Sequence, residues 1–183
     1  DNGELKLSRE DFELFSVIIN VLAGFEPKIR EKNLDIRGLE NFTKLKINAD
    51  PDLMHQVIYN LIENAVKFTN NDGYIAFSLN ETKYELSISI ENSGPGIPPE
   101  DIRFVFDRFY KTDKSRSMDK KGMGLGLFIR RSIMRLHGGH IYVESEPDNF
   151  CRFTFQLPLI KTQSEKPNSK YIDTTATIKP EDK

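Results

Sequence analysis

The chain has 183 residues, with 26 Lys and Arg against 28 Asp and Glu for a formal net charge of −2, 38% hydrophobic and 30% charged. That is the balance of one well-solvated globular domain, long enough for a core without staples. The near-neutral charge argues against nucleic-acid binding through bulk positive charge, and the single cysteine excludes a disulfide framework or a cysteine-rich zinc site.

The longest apolar stretch, 17–25, is interrupted by Asn20 and Gly24 and is too short to span a bilayer. The first ten residues, DNGELKLSRE, have no signal-peptide pattern. These features lead to the expectation of a soluble domain in a reducing compartment, without membrane contact of its own.

Ser8 with Asp11 three residues later predicts the start of a first helix, FELFSVIINVLAGFEPKIREK, kinked or ended at Pro27. Leu34 and Ile36, then Leu45 and Ile47, alternate with polar residues as in two short strands. Asp50 and Pro51 open a second helix, in which Met54, Ile58, Leu61, Ile62 and Ala65 recur at helical spacing. It should stop near Thr69, before the turn residues Asn70-Asn71-Asp72-Gly73.

Residues 74–79 and 84–90 read as consecutive strands, followed by SGPGIPPED and a short helix around 101–106. The charged segment 107–122 reads as a loop. A third long helix, 126–137, ends at Gly138-Gly139, and 141–144 with 151–157 form a closing hairpin. Cys151 alternates with Phe153, Phe155 and Leu157, as a buried small hydrophobe does. From 161 to 183 the composition is that of a disordered tail, leaving 1–160 as the folded domain. The order of elements predicts an α+β protein, a two-layer sandwich with a mostly antiparallel mixed sheet on about three helices.

Four places could carry chemistry. On the helix QVIYNLIENAVKFT, Asn64 and Lys67 fall within about 40° of Asn60, with Gln56 and Glu63 nearby and the apolar residues opposite. Such a stripe can be a plain solvated face. Yet asparagine is a poor helix former, and amides four apart with a lysine one turn on also suit hydrated magnesium and phosphate oxygens. Asn92-Ser93-Gly94-Pro95-Gly96-Ile97, directly after a strand, is either a tight turn or a place where backbone and a polar side chain meet a ligand. Phe106-Asp107-Arg108-Phe109-Tyr110-Lys111 is either aromatic packing at a helix end or an anchor that turns Arg108 and Lys111 toward phosphate. Gly122-Met123-Gly124-Leu125-Gly126-Leu127 opens a helix, where backbone amides can hold an anion. It is neither the Walker pattern nor the Rossmann fingerprint.

Taken in this order, the four segments resemble the asparagine box, first glycine box, phenylalanine box and second glycine box of the catalytic ATP-binding domain of bacterial two-component sensor histidine kinases. The superfamily is shared with gyrase, Hsp90-type chaperones and mismatch-repair ATPases, and the resemblance spans roughly 4–159. It implies a Bergerat (GHKL-type) fold in which 107–122 is a flexible ATP lid. It also implies that Asn64 holds magnesium bridging the ATP phosphates, with Asn60 beside them and Lys67 on the β- and γ-phosphates. Arg108 and Lys111 would lie near the terminal phosphate, and Gly122, Gly124 and Gly126 would hinge the lid and present amides to the triphosphate. Asn92 would accept a hydrogen bond from adenine, and Gly94, Gly96, Ile97, Tyr110, Leu125 and Leu127 would belong to the nucleotide-binding site.

Many members of the family have an aspartate where Asn92 stands, so adenine binding is expected to be retained but about tenfold weaker. The family's phosphoacceptor motif is absent, and His55, His137 and His140 read as structural or surface residues. By resemblance the chain begins after the dimerisation and histidine-bearing helices, so it would bind ATP without autophosphorylating efficiently alone. Its partner would be that histidine domain and, indirectly, a response regulator. A cytoplasmic location follows, any membrane anchor of the parent kinase lying upstream. Two alternatives stay open: a degenerate or regulatory nucleotide-binding module, and an ATPase of the same superfamily, which Asn60 disfavours because hydrolysing members have an acidic residue there.

Overall fold

The computed structural model describes residues 6–111 and 125–159. In chain order the elements are β1 (Glu10–Glu13), α1 (Leu14–Gly24), α2 (Glu26–Glu31), β2 (Asp35–Arg37), a 3-10 turn at Leu39–Phe42, β3 (Lys46–Ala49) and α3 (Pro51–Phe68). There follow β4 (Tyr74–Glu81), β5 (Glu85–Ser93), α4 (Pro99–Ile102), α5 (Gly126–Leu136), β6 (His140–Glu146) and β7 (Phe150–Pro158). The expected tail and most of the expected lid, including Gly122 and Gly124, lie outside the described residues.

Five strands form one mixed sheet in the order β2-β4-β5-β7-β6, with β2 parallel to β4 and the other pairs antiparallel. Strand alternation sends Ile75, Phe77, Leu86, Ile88, Ile90, Phe153, Phe155 and Leu157 to the inner face, where all are buried. They pack against Leu14, Ile18, Met54, Ile58, Leu61, Ile62 and Met134 of α1, α3 and α5. This is the expected two-layer sandwich. The outer face is polar, with Glu91 accepting from Tyr74 at 2.6 Å and from Arg152 Nε at 2.7 Å.

α3 is the central helix and meets α1, α5 and β5. Its start is capped as expected: the Asp50 carboxylate accepts from the Leu53 amide at 3.1 Å, and Pro51 stands in the first turn. The helix buries Val57 and Val66 as well as the predicted stripe, because it is covered on three sides.

The N-terminus departs from expectation. Ser8 does not cap a helix. Its amide donates to Asp50 Oδ2 at 3.0 Å, and β1 pairs antiparallel with β3 in a separate two-stranded sheet before α1 begins at Leu14. The predicted kink falls before Pro27, since α1 ends at Gly24 and α2 restarts with proline in its first turn. His137 joins this corner to the end of α5: its buried Nε2 accepts from the Asp50 amide at 3.0 Å, while Nδ1 lies 2.8 Å from the Ile133 carbonyl.

Candidate functional site

The candidate residues distribute along α3. Asn60, Asn64 and Lys67 lie on its half-buried side, and Lys67 Nζ sits 5.4 Å from the centre of the Phe68 ring. Asn60 is unusual among them. Its Oδ1 is buried and has no hydrogen-bond partner among the described residues, a costly state for a carbonyl oxygen.

Two backbone segments close on this helix, one at its C-terminal end and one near its middle. At the C-terminal end, the turn after β5 presses on α3, and a Cβ on Gly94 (φ +150°) would stand 2.5 Å from the Phe68 carbonyl oxygen. Only glycine allows that approach. Asn92, 5% exposed at the end of β5, donates Nδ2 to the Ser93 carbonyl at 3.1 Å, which leaves Oδ1 as the acceptor end of its amide. Gly96 and Ile97 are engaged with β6 instead. A Cβ on Gly96 would meet the Glu146 carbonyl oxygen at 2.5 Å, and the Ile97 amide donates to Ser145 Oγ at 2.8 Å.

Toward the middle of α3, the start of α5 approaches Asn60, so that a Cβ on Gly126 would fall 2.9 Å from Asn60 Nδ2. Leu125, the residue before α5, makes no side-chain capping bond, and the first turn holds no acidic residue. The positive end of α5 is therefore uncompensated by a carboxylate of its own, as an anion site requires. Leu127 packs against the core and fixes the helix there.

The phenylalanine stretch divides its roles. Phe106 packs edge-on against Phe153, with ring centres 6.1 Å apart. Phe109 does not anchor as the sequence reading allowed: it is 61% exposed with φ +66°, and the Arg108 guanidinium lies 5.0 Å from its ring centre. Tyr110 donates its hydroxyl to Asp101, and Lys111 is half-buried at the last described position before 125.

The sequence reading passed over Arg130. It lies four residues after Gly126, hence on the same helical face, and donates Nε to the Gln56 carbonyl at 3.0 Å. Burial lowers the pKa of its guanidinium, and Glu63 opposes that shift. Cys151 is buried as expected, which pushes its thiol up to about 12.

The two approaches meet α3 at Asn60 and Phe68, about 12 Å apart along the helix over eight residue steps. Among the described residues no group of three or more His, Cys, Asp or Glu could hold a metal ion, and no helix is long and apolar enough to cross a membrane.

Comparison with known proteins gives this geometry its family. The histidine kinase-, DNA gyrase B- and HSP90-like ATPase family matches residues 49–161. Sensor histidine kinase WalK of Bacillus subtilis is 34% identical over 168 residues, covering 90% of this chain and 27% of WalK. Sensor protein SrrB of Staphylococcus aureus is 39% identical over 167 residues, covering 86% of this chain and 28% of SrrB. The chain thus spans little more than a quarter of the length of these relatives. The nucleotide-free catalytic domain of histidine kinase ThkA superimposes with a TM-score of 0.69 at 32% identity, covering 82% of this chain and 95% of that one. Full-length ShkA in complex with AMPPNP matches with a TM-score of 0.71 at 26% identity, covering 84% of this chain and 32% of ShkA. The chain belongs to the histidine kinase-, DNA gyrase B- and HSP90-like ATPase family, as an ATP-binding catalytic domain of the sensor histidine kinase kind.

Proposed function

We propose that this domain binds ATP with a magnesium ion along α3 and positions the γ-phosphoryl group for transfer to a histidine on a separate helical domain. The observation that carries the reading is the buried Asn60 Oδ1, without a partner among the described residues, beside an α5 N-terminus whose first turn holds no acidic residue. A polar oxygen in that state calls for a ligand bearing protons or metal-bound water, and the helix terminus calls for an anion. Hydrated magnesium on a triphosphate supplies both.

The donor set fits. A divalent ion held here would take most of its ligands from phosphate and water, with the Asn64 amide oxygen as the protein's contribution. Magnesium, when bound, offsets negative charge on the transferring phosphoryl group. Lys67 and Arg108 add cationic charge on the phosphates, and the amides at Leu125, Gly126 and Leu127 cradle them. At the other end Asn92 Oδ1 accepts from the exocyclic amine of adenine, and Gly94 lets the base approach the backbone. Asn60 orients solvent or phosphate and cannot act as a general base toward water, which favours transfer over hydrolysis. In the transfer a neutral imidazole nitrogen forms the N–P bond as the bond to the β,γ-bridging oxygen breaks, and ADP leaves with that electron pair.

A solved structure holds ThkA in complex with the response regulator protein TrrA. By that likeness we place the present domain in a two-component system in which a response regulator receives the phosphoryl group from the histidine domain.

The test is phosphotransfer in trans. This chain, mixed with a helical domain carrying the acceptor histidine and with γ-labelled ATP, should label that domain acid-labilely and only with magnesium; Asn64→Ala should abolish labelling. Release of inorganic phosphate without labelling would favour an ATPase. Binding with neither would indicate a nucleotide-sensing module.

A further inference from the structure

The Lys32 side chain, in the loop after α2, reaches across to the end of α3 and spends all its protons there. Its ammonium donates to the carbonyls of Val66 at 2.8 Å, Lys67 at 3.0 Å and Thr69 at 2.9 Å. The last carbonyls of a helix have no partner within it, and a cation at that end also offsets the helix dipole. The contact is built from both sides. The Asp72 amide donates to the Lys32 carbonyl at 2.8 Å, Asn33 Nδ2 to Asp72 Oδ1 at 2.8 Å, and the Asp35 amide to the Gly73 carbonyl at 2.9 Å. Thr69, 1% exposed, closes the helix from within by donating its hydroxyl to the Ala65 carbonyl.

We infer that Lys32 is a positioning residue for the nucleotide site, holding the last turn of α3 so that Lys67 stays aimed at the phosphates. The inference rests on the reading of α3 as the phosphate-binding helix. Two of the three carbonyls that Lys32 holds are those of Lys67 and its chain neighbour Val66, so its loss acts on the backbone that carries the Lys67 side chain. The adenine turn has separate anchors. Asn92 pairs with Cys151 in the β5–β7 ladder, and the Gly94 amide donates to the Asn149 carbonyl at 3.2 Å. The Gly94 turn also rests on this last turn, at the Phe68 carbonyl, but it keeps those two anchors when Lys32 is lost, so the loss falls more heavily on the Lys67 contacts to phosphate. Arginine at this position keeps the charge and several donors, glutamine keeps two donors without the charge, and methionine keeps neither.

The experiment measures Mg-ATP affinity by calorimetry, AMP affinity by amide chemical-shift titration and thermal unfolding for the wild-type chain, Lys32→Met, Lys32→Gln and Lys32→Arg. Lys32→Met should weaken ATP about tenfold and AMP less than twofold, and Lys32→Arg should recover most of the ATP affinity. A folded Lys32→Met with wild-type ATP affinity and a lowered melting temperature would reduce Lys32 to a structural cap and overturn the inference. So would equal losses for ATP and AMP. If Lys32→Met does not fold, Lys32→Gln gives the same reading, and wild-type ATP affinity there overturns it equally. A wild-type chain that binds neither nucleotide would instead refute the proposed function itself.

Discussion

Asn92 combines two roles that one side chain seldom holds together. Its amide nitrogen satisfies the Ser93 carbonyl at 3.1 Å, and its amide oxygen is the acceptor that the proposed function assigns to adenine. Asn92→Asp would exchange a neutral acceptor for a charged one, worth roughly 1.4 kcal/mol more toward an amine donor. It would also remove the donor to Ser93 and bury a carboxylate at a position only 5% exposed. We therefore expect Asn92→Asp to bind ATP about tenfold more tightly while melting at a lower temperature without nucleotide, read by calorimetry and thermal unfolding. Unchanged affinity would show that Asn92 does not touch the base. At this scale the sequence was legible where a residue's role follows from local spacing. Asn60, Asn64 and Lys67 share one side of a helix by arithmetic alone. Lys32 was not legible, because its carbonyl partners lie 34 to 37 residues away. The exposure and positive φ of Phe109 were equally hidden, since aromatic identity alone favours a buried anchor.

The corner joining β1, α3 and α5 is an element-scale device with a pH signature. Burial is the main cause that lowers the pKa of His137 below its ordinary value near 6.5; the Ile133 carbonyl and Asp50 oppose the shift, and Arg9 adds to it. The folded protein holds this imidazole neutral, because Nε2 must accept from the Asp50 amide. The unfolded chain then binds more protons, so the contribution of His137 is complete above about pH 6.5 and is lost as pH falls through its folded value. For Asp50 burial acts against the charged form, yet the amides of Ser8 and Leu53, helped by His137 and the Asp52 amide, hold its pKa below the usual carboxylate value. Its contribution fades only at still lower pH. Melting temperature should thus decline between pH 7 and pH 5, and His137→Gln should flatten that segment of the curve. A slope in His137→Gln equal to that of the wild type would remove His137 from the explanation. The Asp50-Pro51 start of α3 was readable because capping is local. The competing start at Ser8 failed because Asp50 takes the Ser8 amide and β3 draws residues 10–13 into a strand, both through partners remote in sequence.

On the scale of the whole molecule, alternation and helical periodicity were enough for a two-layer α+β sandwich, since each element shows its buried face. They could not fix the parallel pairing of β2 with β4, the strand order β2-β4-β5-β7-β6, or the separate β1–β3 sheet, which depend on which edges meet. The same limit applied to the site. The four segments were each visible, but that Gly126 meets Asn60 and Gly94 meets Phe68 follows only from the packing of α5 and β5 on α3. On the proposed function, that packing would make α3 one rail for both ends of a nucleotide. The most direct test is calorimetric titration of ATP, with and without magnesium, into this chain and into Asn64→Ala. Binding that needs magnesium and is weakened at least tenfold by the substitution, in a protein that still melts cooperatively, is the expected result. Equal affinity in the two proteins, or no heat of binding from the folded wild-type chain, would contradict the assignment of α3 as the magnesium- and phosphate-binding helix.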